Sequence, residues 1–334
     1  MNIRTVYVEI TNYCNLNCAT CYNRSGLPKK KENITVAQIE EIINTFTRYG
    51  LQRILISGGE PCLHPDFNDM LGLADRYPML SFGVVTNGSI HSDKLISAVN
   101  SGKVTLQVSL DGSCENVNSR TRGIGNFHKT SEFLNVLDNK ETLLKMVVSK
   151  NNIGDVADFY HLAVSKNCTP EFGFVTRRGN ANTGWDSLAL SGKEKLETIK
   201  TIESLNAEHQ LEAFLPLCAG QCPYSDKMQD LTLCIVTNGT IQPCSLLSGN
   251  EHSLGNVFSF DENTFCERMS QIAALAKERL SSDFNCLRCM LRDSCNKGCI
   301  GAAYANCGDV FGDDGDCKFR QLQFFGYYMK KAGI

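Results

Sequence analysis

The regular alternation of strand and helix patterns is the feature that most constrains how this chain can fold. Over about the first 180 residues, short runs rich in β-branched residues predict strands, at Thr5–Ile10, Arg53–Ser57, Phe82–Thr86, Val104–Ser109, Leu143–Val148 and Glu171–Val175. Between them lie helical patterns, the clearest at Thr35–Tyr49, where Ile39, Ile42 and Phe46 share one face. Such βα repeats with short connections predict a parallel sheet, either open or closed into a barrel.

The sequence changes character in its last third, where cysteines become dense and the periodicity weakens. Further helical patterns occur at Phe67–Arg76, Asp93–Asn100, Asn126–Leu137, Ile153–Val164, Asn263–Arg279 and Phe319–Lys331. We therefore predict two domains in an α/β protein. The first, over 1–205, is an incomplete (β/α)6 barrel of the TIM-like kind, and the second, over 206–334, is a small cysteine-rich α+β domain that ends in a helix.

Composition and charge exclude several classes of protein. A hydrophobic fraction of 42% in 334 residues is enough for a sizeable core. The net charge is −3 and the one basic run is Lys29–Lys31, which argues against a nucleic-acid-binding surface. The sequence has no apolar run of about 18 residues and no apolar signal region at its start. We therefore expect a cytoplasmic protein that binds neither nucleic acid nor membrane.

The chain contains 17 cysteines, far more than is ordinary. Because the number is odd and no export signal precedes it, the clusters indicate metal ligands rather than disulfides. Cys14, Cys18 and Cys21 follow directly on the first predicted strand. A cubane iron–sulfur cluster takes one ligand per iron, so three thiolates leave one iron open to a small chelating molecule. A zinc site is the alternative for such spacing.

Turns rich in glycine and polar residues follow the next three strands, at 58–61, 86–88 and 109–112. Chemistry gathers at the carboxyl ends of parallel strands, so we expect these turns to meet the cysteines at one edge. Gly58 and Gly59 allow close approach of the backbone. Glu60 offers an acceptor to an ammonium group, and Pro61 stiffens the turn. Arg122 suits a carboxylate, because a guanidinium is a planar fork of donors.

These motifs resemble the radical S-adenosylmethionine (SAM) superfamily, through the CxxxCxxC spacing and the Gly-Gly-Glu-Pro turn. In that family the three cysteines hold a 4Fe–4S cluster, and the amino and carboxylate groups of SAM chelate the open iron. An electron from the cluster cleaves a carbon–sulfur bond. This releases methionine and a 5′-deoxyadenosyl radical, which abstracts hydrogen from a substrate. The resemblance implies that Cys14, Cys18 and Cys21 hold such a cluster.

The same resemblance implies a set of SAM-binding residues. They are Gly58, Gly59, Glu60, Pro61, Asn87, Ser109, Asp111 and Arg122. The glycine-rich turn would bind the amine, Ser109 and Asp111 the ribose or methionine part, and Arg122 the carboxylate. The turn containing Arg178, after the sixth strand, is another candidate for the carboxylate or for substrate. The residue before the third cysteine is often aromatic in the family and is Thr20 here, so the contact to adenine is left open.

The second cysteine field resembles the SPASM domain, the cysteine-rich extension of radical SAM enzymes that modify peptides. Its pattern is C-x2-C-x5-C-x3-C followed by one further cysteine, with G-x4-C upstream at Gly239 and Cys244. The family binds two auxiliary 4Fe–4S clusters here. The implied ligands are Cys286, Cys289, Cys295 and Cys317 for the outer cluster, and Cys244 and Cys299 with others for the inner one. Structural zinc is the alternative.

The remaining ligands of the inner cluster are less clearly defined. Four residues separate Cys234 from Gly239 and sixteen separate Cys222 from it, whereas the family uses a gap of nine to fifteen. We expect Cys222 and Cys234 to be ligands, with Cys218 a close alternative, and a three-ligand cluster is also open. If Cys218 or Cys222 is not a ligand, its thiol could return a hydrogen atom to a substrate radical.

The two resemblances together imply a radical SAM maturase that modifies a ribosomally made peptide at a Cα or Cβ. If an auxiliary cluster takes an electron from the peptide radical, a carbon–carbon, ether or thioether crosslink forms, and this is the expected product. If a thiol returns hydrogen, the residue is epimerised. The sequence also leaves open a non-peptide enzyme of cofactor biosynthesis, such as haem modification. A non-catalytic electron carrier is disfavoured, because it would need no SAM site.

The resemblance also implies partners. A precursor peptide is the expected substrate, and a flavodoxin- or ferredoxin-type protein is the expected electron donor. The chain starts a few residues before its first strand. Any protein that binds the leader of the precursor peptide is therefore expected to be a separate chain.

Overall fold

An eight-stranded sheet in the order β6-β5-β4-β3-β2-β1-β7-β8 forms the centre of the described part of this protein, in a computed structural model of the chain. The strands are β1 (Ile3–Thr11), β2 (Arg53–Gly58), β3 (Ser81–Thr86), β4 (Val104–Ser109), β5 (Leu143–Val148), β6 (Thr169–Phe174), β7 (Leu231–Ile235) and β8 (Ile241–Gln242). All neighbouring strands are parallel except β7 and β8. The structure describes all residues except 27, 29, 139, 140, 212, 214–221, 226, 227 and 332–334, and it does not describe the side chains of 293, 294 and 327–331.

The α-helices of the described residues cover the sheet and build much of the region after it. They are α1 (Val36–Thr47), α2 (Phe67–Leu71), α3 (Leu73–Arg76), α4 (Asp93–Asn100), α5 (Glu115–Arg122), α6 (Asn126–Asn135), α7 (Val156–Ser165), α8 (Trp185–Leu188), α9 (Gly192–His209), α10 (Glu262–Ser281), α11 (Phe284–Arg288), α12 (Arg292–Cys295), α13 (Ile300–Cys307) and α14 (Cys317–Lys331).

Helix α1 forms where the sequence predicts it, because capping and packing agree. The hydroxyl of Thr35 accepts a hydrogen bond from the backbone N–H of Gln38, and the side chain of Gln38 accepts one from the backbone N–H of Thr35. Ile39, Ile42 and Phe46 are buried against the core, as the helical pattern requires. Burying each such side chain contributes about 1.5–3 kcal/mol.

The predicted parallel α/β fold is confirmed, with differences at particular elements. The predicted helix at Phe67–Arg76 is two short helices that meet at Gly72. The predicted helix at Ile153–Val164 begins with a 3₁₀ turn before α7. Helices α5 and α9 were not predicted. A capping box at Ser191 and Glu194 marks the start of α9 in the sequence.

Strand β7 was also not predicted, and it matters for the site. It pairs in parallel with β1, so that Tyr7 lies opposite Cys234 and Val8 opposite Ile235. The sheet therefore continues past β1 with a strand that follows residue 205 in sequence. One hydrophobic core cluster contains buried side chains from both parts of the chain, among them Val8 and Leu233. The division into domains at residue 205 stays a prediction.

Within the described residues, no helix is both long enough and apolar enough to span a membrane.

Candidate active site

Backbone hydrogen bonds hold the cysteine loop, residues 12–26, against the end of β2. The amide of Gly59 donates to the carbonyl oxygen of Thr11 at 2.7 Å, and the amide of Glu60 donates to that of Tyr13 at 2.9 Å. The loop thus continues the β1–β2 pairing beyond the regular strands. This brings the predicted cluster-binding cysteines to the carboxyl edge of the sheet, as expected from the sequence.

Two further elements hold the other side of the cysteine loop. The backbone N–H of Asn180 donates to the carbonyl oxygen of Cys21 at 2.8 Å, and its side-chain amide donates to that of Cys18 at 2.9 Å. The amide of Ala19 donates to the carbonyl oxygen of Thr121, in α5, at 2.8 Å. The loop is therefore fixed by β2, by the segment after β6 and by α5.

Gly58 and Gly59 are required by this close approach of two backbones. A Cβ atom on Gly58 would overlap the carbonyl oxygen of Thr11, and one on Gly59 would overlap that of Tyr13. Gly58 also has φ of +139°, which side chains rarely tolerate. The glycines therefore position the cysteine loop, in addition to any contact that they make with a ligand.

Cys14, Cys18 and Cys21 line one cavity of about 460 Å³. Other residues of the expected SAM-binding set also line it: Gly58, Gly59, Asn87, Ser109 and Arg122. Glu60, Pro61 and Asp111 are buried beside the cavity and are not among its lining residues. Thr20, the position that is often aromatic in radical SAM enzymes, lines the cavity as well.

The carboxylate of Glu60 is fully buried and already has three donors from the protein. The hydroxyl of Thr86 donates to it at 2.7 Å, the amide of Asn87 at 2.8 Å and the amide of Cys62 at 3.2 Å. Burial raises the pKa of Glu60, and these hydrogen bonds oppose the shift. Glu60 thus ties the end of β2 to the end of β3, and its contact with the SAM amine stays a prediction.

Arg122 and Asp111 form a buried ion pair, with Nε of Arg122 2.9 Å from Oδ2 of Asp111. The angle is not that of a hydrogen bond, so the contact is mainly one of charge. The other carboxylate oxygen of Asp111 accepts from the amide of Val147 at 2.9 Å. Burial disfavours the charge on Arg122, but Asp111 and the thiol of Cys18 outweigh this and raise the pKa of Arg122. A permanent positive charge therefore faces the cavity, with Asp111 behind it.

The cysteine thiols at this cavity are costly to ionise without a positive partner. Burial raises the pKa of Cys14 to about 12, and that of Cys18 to about 11. Arg122 acts in the opposite direction on Cys18. A metal cluster supplies the positive charge that a thiolate needs, because coordination displaces the thiol proton.

Three cysteines of the second field are neighbours, in agreement with the predicted inner cluster. Burial raises the pKa of Cys222 to about 11, and the nearby thiols of Cys299 and Cys244 add to this effect. Burial also raises the pKa of Cys244, with Cys299 contributing again. Cys218, the alternative ligand or hydrogen donor, lies outside the described residues.

Cys234 lies apart from this group, in the wall of the 460 Å³ cavity. Its thiol is on β7, is 1% exposed and lies 3.9 Å from a carboxylate oxygen of Glu9, to which it donates. Burial raises the pKa of both groups, so each favours its protonated form. Cys244 lines the same cavity and couples weakly to Cys234. Ligation of the inner cluster by Cys234 stays a prediction.

The four cysteines of the predicted outer cluster line a second cavity, of about 320 Å³. They are Cys286, Cys289, Cys295 and Cys317. A buried ion pair between Asp314 and Arg320 stands beside them, with both guanidinium nitrogens on both carboxylate oxygens at 2.5 and 2.7 Å. Nε of Arg320 also donates to the sulfur of Cys295 at 3.1 Å.

The same ion pair reaches the inner group. Asp314 accepts from the backbone N–H of Cys299 at 3.0 Å, so one carboxylate–guanidinium pair connects a ligand expected for each auxiliary cluster. Among the described residues, no three His, Cys, Asp or Glu side chains converge as a single metal ion would require. The ligands of a cubane bind different irons, so their sulfurs stand farther apart than around one ion.

Several lining residues were not predicted from the sequence, although a periodicity of two could have found them. Tyr7 on β1, Gln107 on β4 and Lys145 on β5 all line the cavity from inside the sheet. Gln107 and Ser109 are two positions apart, and therefore on one face of their strand. Tyr22 also lines the cavity, and its hydroxyl lies 3.5 Å from that of Tyr7. The cavity is polar on the sheet side.

Comparison with known proteins identifies the N-terminal part of this arrangement. Residues 8–163 match the Radical SAM superfamily. This part of the chain is a radical SAM domain. It implies SAM and a 4Fe–4S cluster as cofactors, and the match contains the whole cysteine loop together with the residues expected to bind SAM.

Relatives and solved structures extend the likeness beyond the radical SAM domain. The mycofactocin maturase MftC of Mycolicibacterium smegmatis is 25% identical over 324 residues, which cover 92% of this chain and 81% of MftC. The structure of anSMEcpe with bound AdoMet and the Cp18Cys peptide has a TM-score of 0.75 at 16% identity, and covers 99% of this chain and 98% of anSMEcpe. Streptococcus suis SuiB bound to its precursor peptide SuiA has a TM-score of 0.72 at 15% identity, and covers 94% of this chain and 75% of SuiB. The fold, including the cysteine-rich region, is therefore shared with these proteins.

Proposed function

We propose that this protein is a radical SAM maturase that modifies a ribosomally made peptide. The observation that carries the proposal is the single cavity in which the three motif cysteines, Gly58, Gly59 and Arg122 meet. The relatives support the peptide as substrate: MftC is a maturase by name, and the anSMEcpe and SuiB structures contain peptides.

The residues of the cavity fit the cofactors. Three buried thiols that resist ionisation suit a cluster that binds them as thiolates. Arg122, held from behind by Asp111, faces the cavity and would hold the carboxylate of SAM. Ser109 and Asn87 offer polar groups on the same wall. When bound, the cofactors supply a 5′-deoxyadenosyl radical that takes hydrogen from the peptide.

The polar residues of the sheet interior would position the peptide. Gln107 offers a donor and an acceptor at the cavity, and the ammonium of Lys145 is held 2.9 Å from the carboxylate of Glu171. Cys244 and Ser245 reach the same cavity from the region after β8. A peptide held between these surfaces would have one Cα or Cβ fixed near the SAM site, and this positioning is the main catalytic contribution of the chain.

We further propose two auxiliary 4Fe–4S clusters in the cysteine-rich region. The outer one would be held by Cys286, Cys289, Cys295 and Cys317, and the inner one by Cys222, Cys244 and Cys299 with Cys218 or Cys234. The neighbouring thiols and the 320 Å³ cavity support this assignment. Such a cluster can accept an electron from a peptide radical, so a crosslink is the proposed product, with epimerisation the alternative.

The proposed setting follows from these cofactors. An external one-electron donor of the ferredoxin or flavodoxin type would reduce the clusters, and a separate protein would bind the leader of the precursor peptide. Iron–sulfur clusters of this kind and unpaired thiols suit the reducing cytoplasm, which is the proposed location.

Co-expression with a short peptide encoded next to this protein tests the function. A crosslink removes two hydrogens from the peptide and is seen as a mass loss, with fragmentation interrupted between the joined residues. Epimerisation in D₂O leaves the connectivity intact and adds one deuterium. If SAM is cleaved but every such peptide stays unchanged, the peptide-maturase proposal is wrong.

Iron analysis tests the cluster assignment. We expect roughly 12 irons per chain after anaerobic reconstitution, and roughly four fewer when Cys286, Cys289, Cys295 and Cys317 are replaced by Ala. Cys234→Ser separates the two assignments of that residue. A lost or altered inner-cluster spectrum would make it a ligand, and an unchanged spectrum would leave it as a thiol in the wall of the cavity.

A further inference from the structure

Large apolar side chains are exposed in one region of the molecule more than elsewhere. Of nine such side chains among the described residues, five lie between 284 and 325. They are Phe284 (63% exposed), Leu287 (41%), Met290 (78%), Leu322 (36%) and Phe325 (49%), which we call the C-terminal patch. Single exposed apolar residues are ordinary, but a group of them is typical of an interaction site.

The C-terminal patch belongs to the same elements that supply the outer cysteine group. Leu287 lies between Cys286 and Cys289 in sequence, and Met290 follows Cys289 directly. Helix α14, which carries Leu322 and Phe325, begins at Cys317, and its residue Gln321 lines the 320 Å³ cavity with the four cysteines. Exposed apolar groups and the proposed outer cluster are therefore on adjoining turns.

The charge of these elements is uniform. Residues 284–291 and 317–326, with Arg292, together contain Arg288, Arg292, Lys318 and Arg320 and no acidic residue, in a chain whose net charge is −3. Arg320 is consumed by its buried pair with Asp314, but Arg288, Arg292 and Lys318 are exposed. The guanidinium of Arg288 lies 4.2 Å from the centroid of the Phe284 ring, so charge and apolar surface are presented together.

We propose that the C-terminal patch is the docking face for an acidic one-electron carrier protein of the ferredoxin class. This inference rests on the proposed function, which requires an external electron. Reduced ferredoxin would lose one electron and the outer cluster would gain one, with no bond formed or broken. A small apolar contact with a basic rim suits such a transient partner, because redox encounters are small and charge steers them.

Two different occupants would leave different signatures. A second copy of this chain would cover the patch at high concentration, and an anionic membrane surface would attract the same mixture of apolar and basic groups. The cysteines at the patch favour the redox partner over both, because neither a dimer nor a membrane needs a cluster beside the contact.

The test compares two reductants on anaerobic, reconstituted protein. The variant is Phe284→Ser/Arg288→Glu/Met290→Ser, and the matched control is Met79→Ser/Lys94→Glu, at exposed positions outside the patch. With limiting reduced ferredoxin, we expect cluster reduction and 5′-deoxyadenosine formation to slow by about tenfold in the variant and to be unchanged in the control. With dithionite, which needs no docking, both proteins should match wild type, and their iron contents should be equal.

Salt provides an independent readout. The ferredoxin-driven rate of wild type should fall as ionic strength rises, and that of the variant should fall much less. Equal ferredoxin-driven rates in variant and wild type would overturn the proposal. So would a concentration-dependent dimer, or flotation with anionic phosphatidylserine vesicles, that the variant abolishes while its ferredoxin-driven rate is kept.

Failure of the proposed function looks different. If dithionite-reduced wild type does not cleave SAM, the radical SAM assignment fails, while ferredoxin binding and the absorbance change of cluster reduction still decide whether the patch is the docking face.

Discussion

Oδ2 of Asp111 lies 2.9 Å from Nε of Arg122, and both side chains are buried. The sequence nominated the two residues separately as SAM contacts. The structure makes them one unit, in which Arg122 faces the cavity and Asp111 stands behind it, accepting a further bond from Val147. Asp111 therefore acts on SAM through Arg122.

This relationship predicts strong coupling between the two residues. Asp111→Asn and Arg122→Met each leave a buried group without its partner, and each should destabilise the reconstituted protein by about 3–5 kcal/mol. The double variant should lose clearly less than the sum. Thermal unfolding without SAM measures all three. Additive losses would mean that the residues do not act as a pair.

The second prediction concerns Gly59, whose Cβ position is occupied by the backbone of Tyr13. Gly59→Ala should displace the cysteine loop, cost about 1–3 kcal/mol, and lower the iron of the N-terminal cluster. Gly154→Ala is the control, because nothing lies within 4 Å of its Cβ position. The electron paramagnetic resonance signal with and without SAM reports the change. A normal SAM-dependent shift in Gly59→Ala would contradict the structural role.

The third prediction concerns Asp314, which binds Arg320 and the backbone N–H of Cys299. Asp314→Asn breaks a buried pair and should cost about 3–5 kcal/mol, with loss of iron from the C-terminal region. The exposed pair of Lys193 and Glu197 is the comparison, and Glu197→Gln should change the free energy of unfolding by at most about 0.5 kcal/mol. If the two variants retain iron equally, the pair does not support the clusters.

The fourth prediction is a pH dependence at His64. This side chain is buried, its Nδ1 accepts from the amide of Asp66 at 3.0 Å, and burial lowers its pKa. The unfolded chain, with a histidine pKa of about 6.5, then binds a proton that the folded chain does not, so stability is full above that pH and falls as the pH drops below it.

His64→Gln removes this titration. The urea midpoint of wild type should therefore fall more between pH 7.5 and 5.5 than that of the variant, measured anaerobically. His128→Gln, at a histidine side chain that is 71% exposed, should behave like wild type. Parallel curves for wild type and His64→Gln would show that His64 is not the group responsible.

Local pattern was enough to predict the elements that position the site. The β-branched runs predicted six strands of the sheet, and the motif after each strand came to the carboxyl edge because parallel strands end together. Helix α5 was missed because its sequence, Glu115–Arg122, has a single apolar residue, Val117, and so no apolar periodicity. Strand β7 was missed because its partner β1 is more than 200 residues away in sequence.

Other parts of the site depend on contacts that no local pattern contains. The sequence offered Glu60 as an acceptor for a ligand, but three donors from β3 and its own turn already occupy its carboxylate. Cys234 was grouped with the inner cysteines by sequence distance, whereas the pairing of β7 with β1 turns its thiol to Glu9 and the SAM cavity. Both outcomes follow from strand neighbours, which spacing along the chain does not reveal.

The most direct measurement is SAM cleavage by anaerobic protein reconstituted with iron and sulfide and reduced with dithionite. Wild type should release 5′-deoxyadenosine and methionine, whereas Cys14→Ala/Cys18→Ala/Cys21→Ala should release neither and should hold roughly four fewer irons. Undiminished release by the triple variant would contradict the assignment of these thiols.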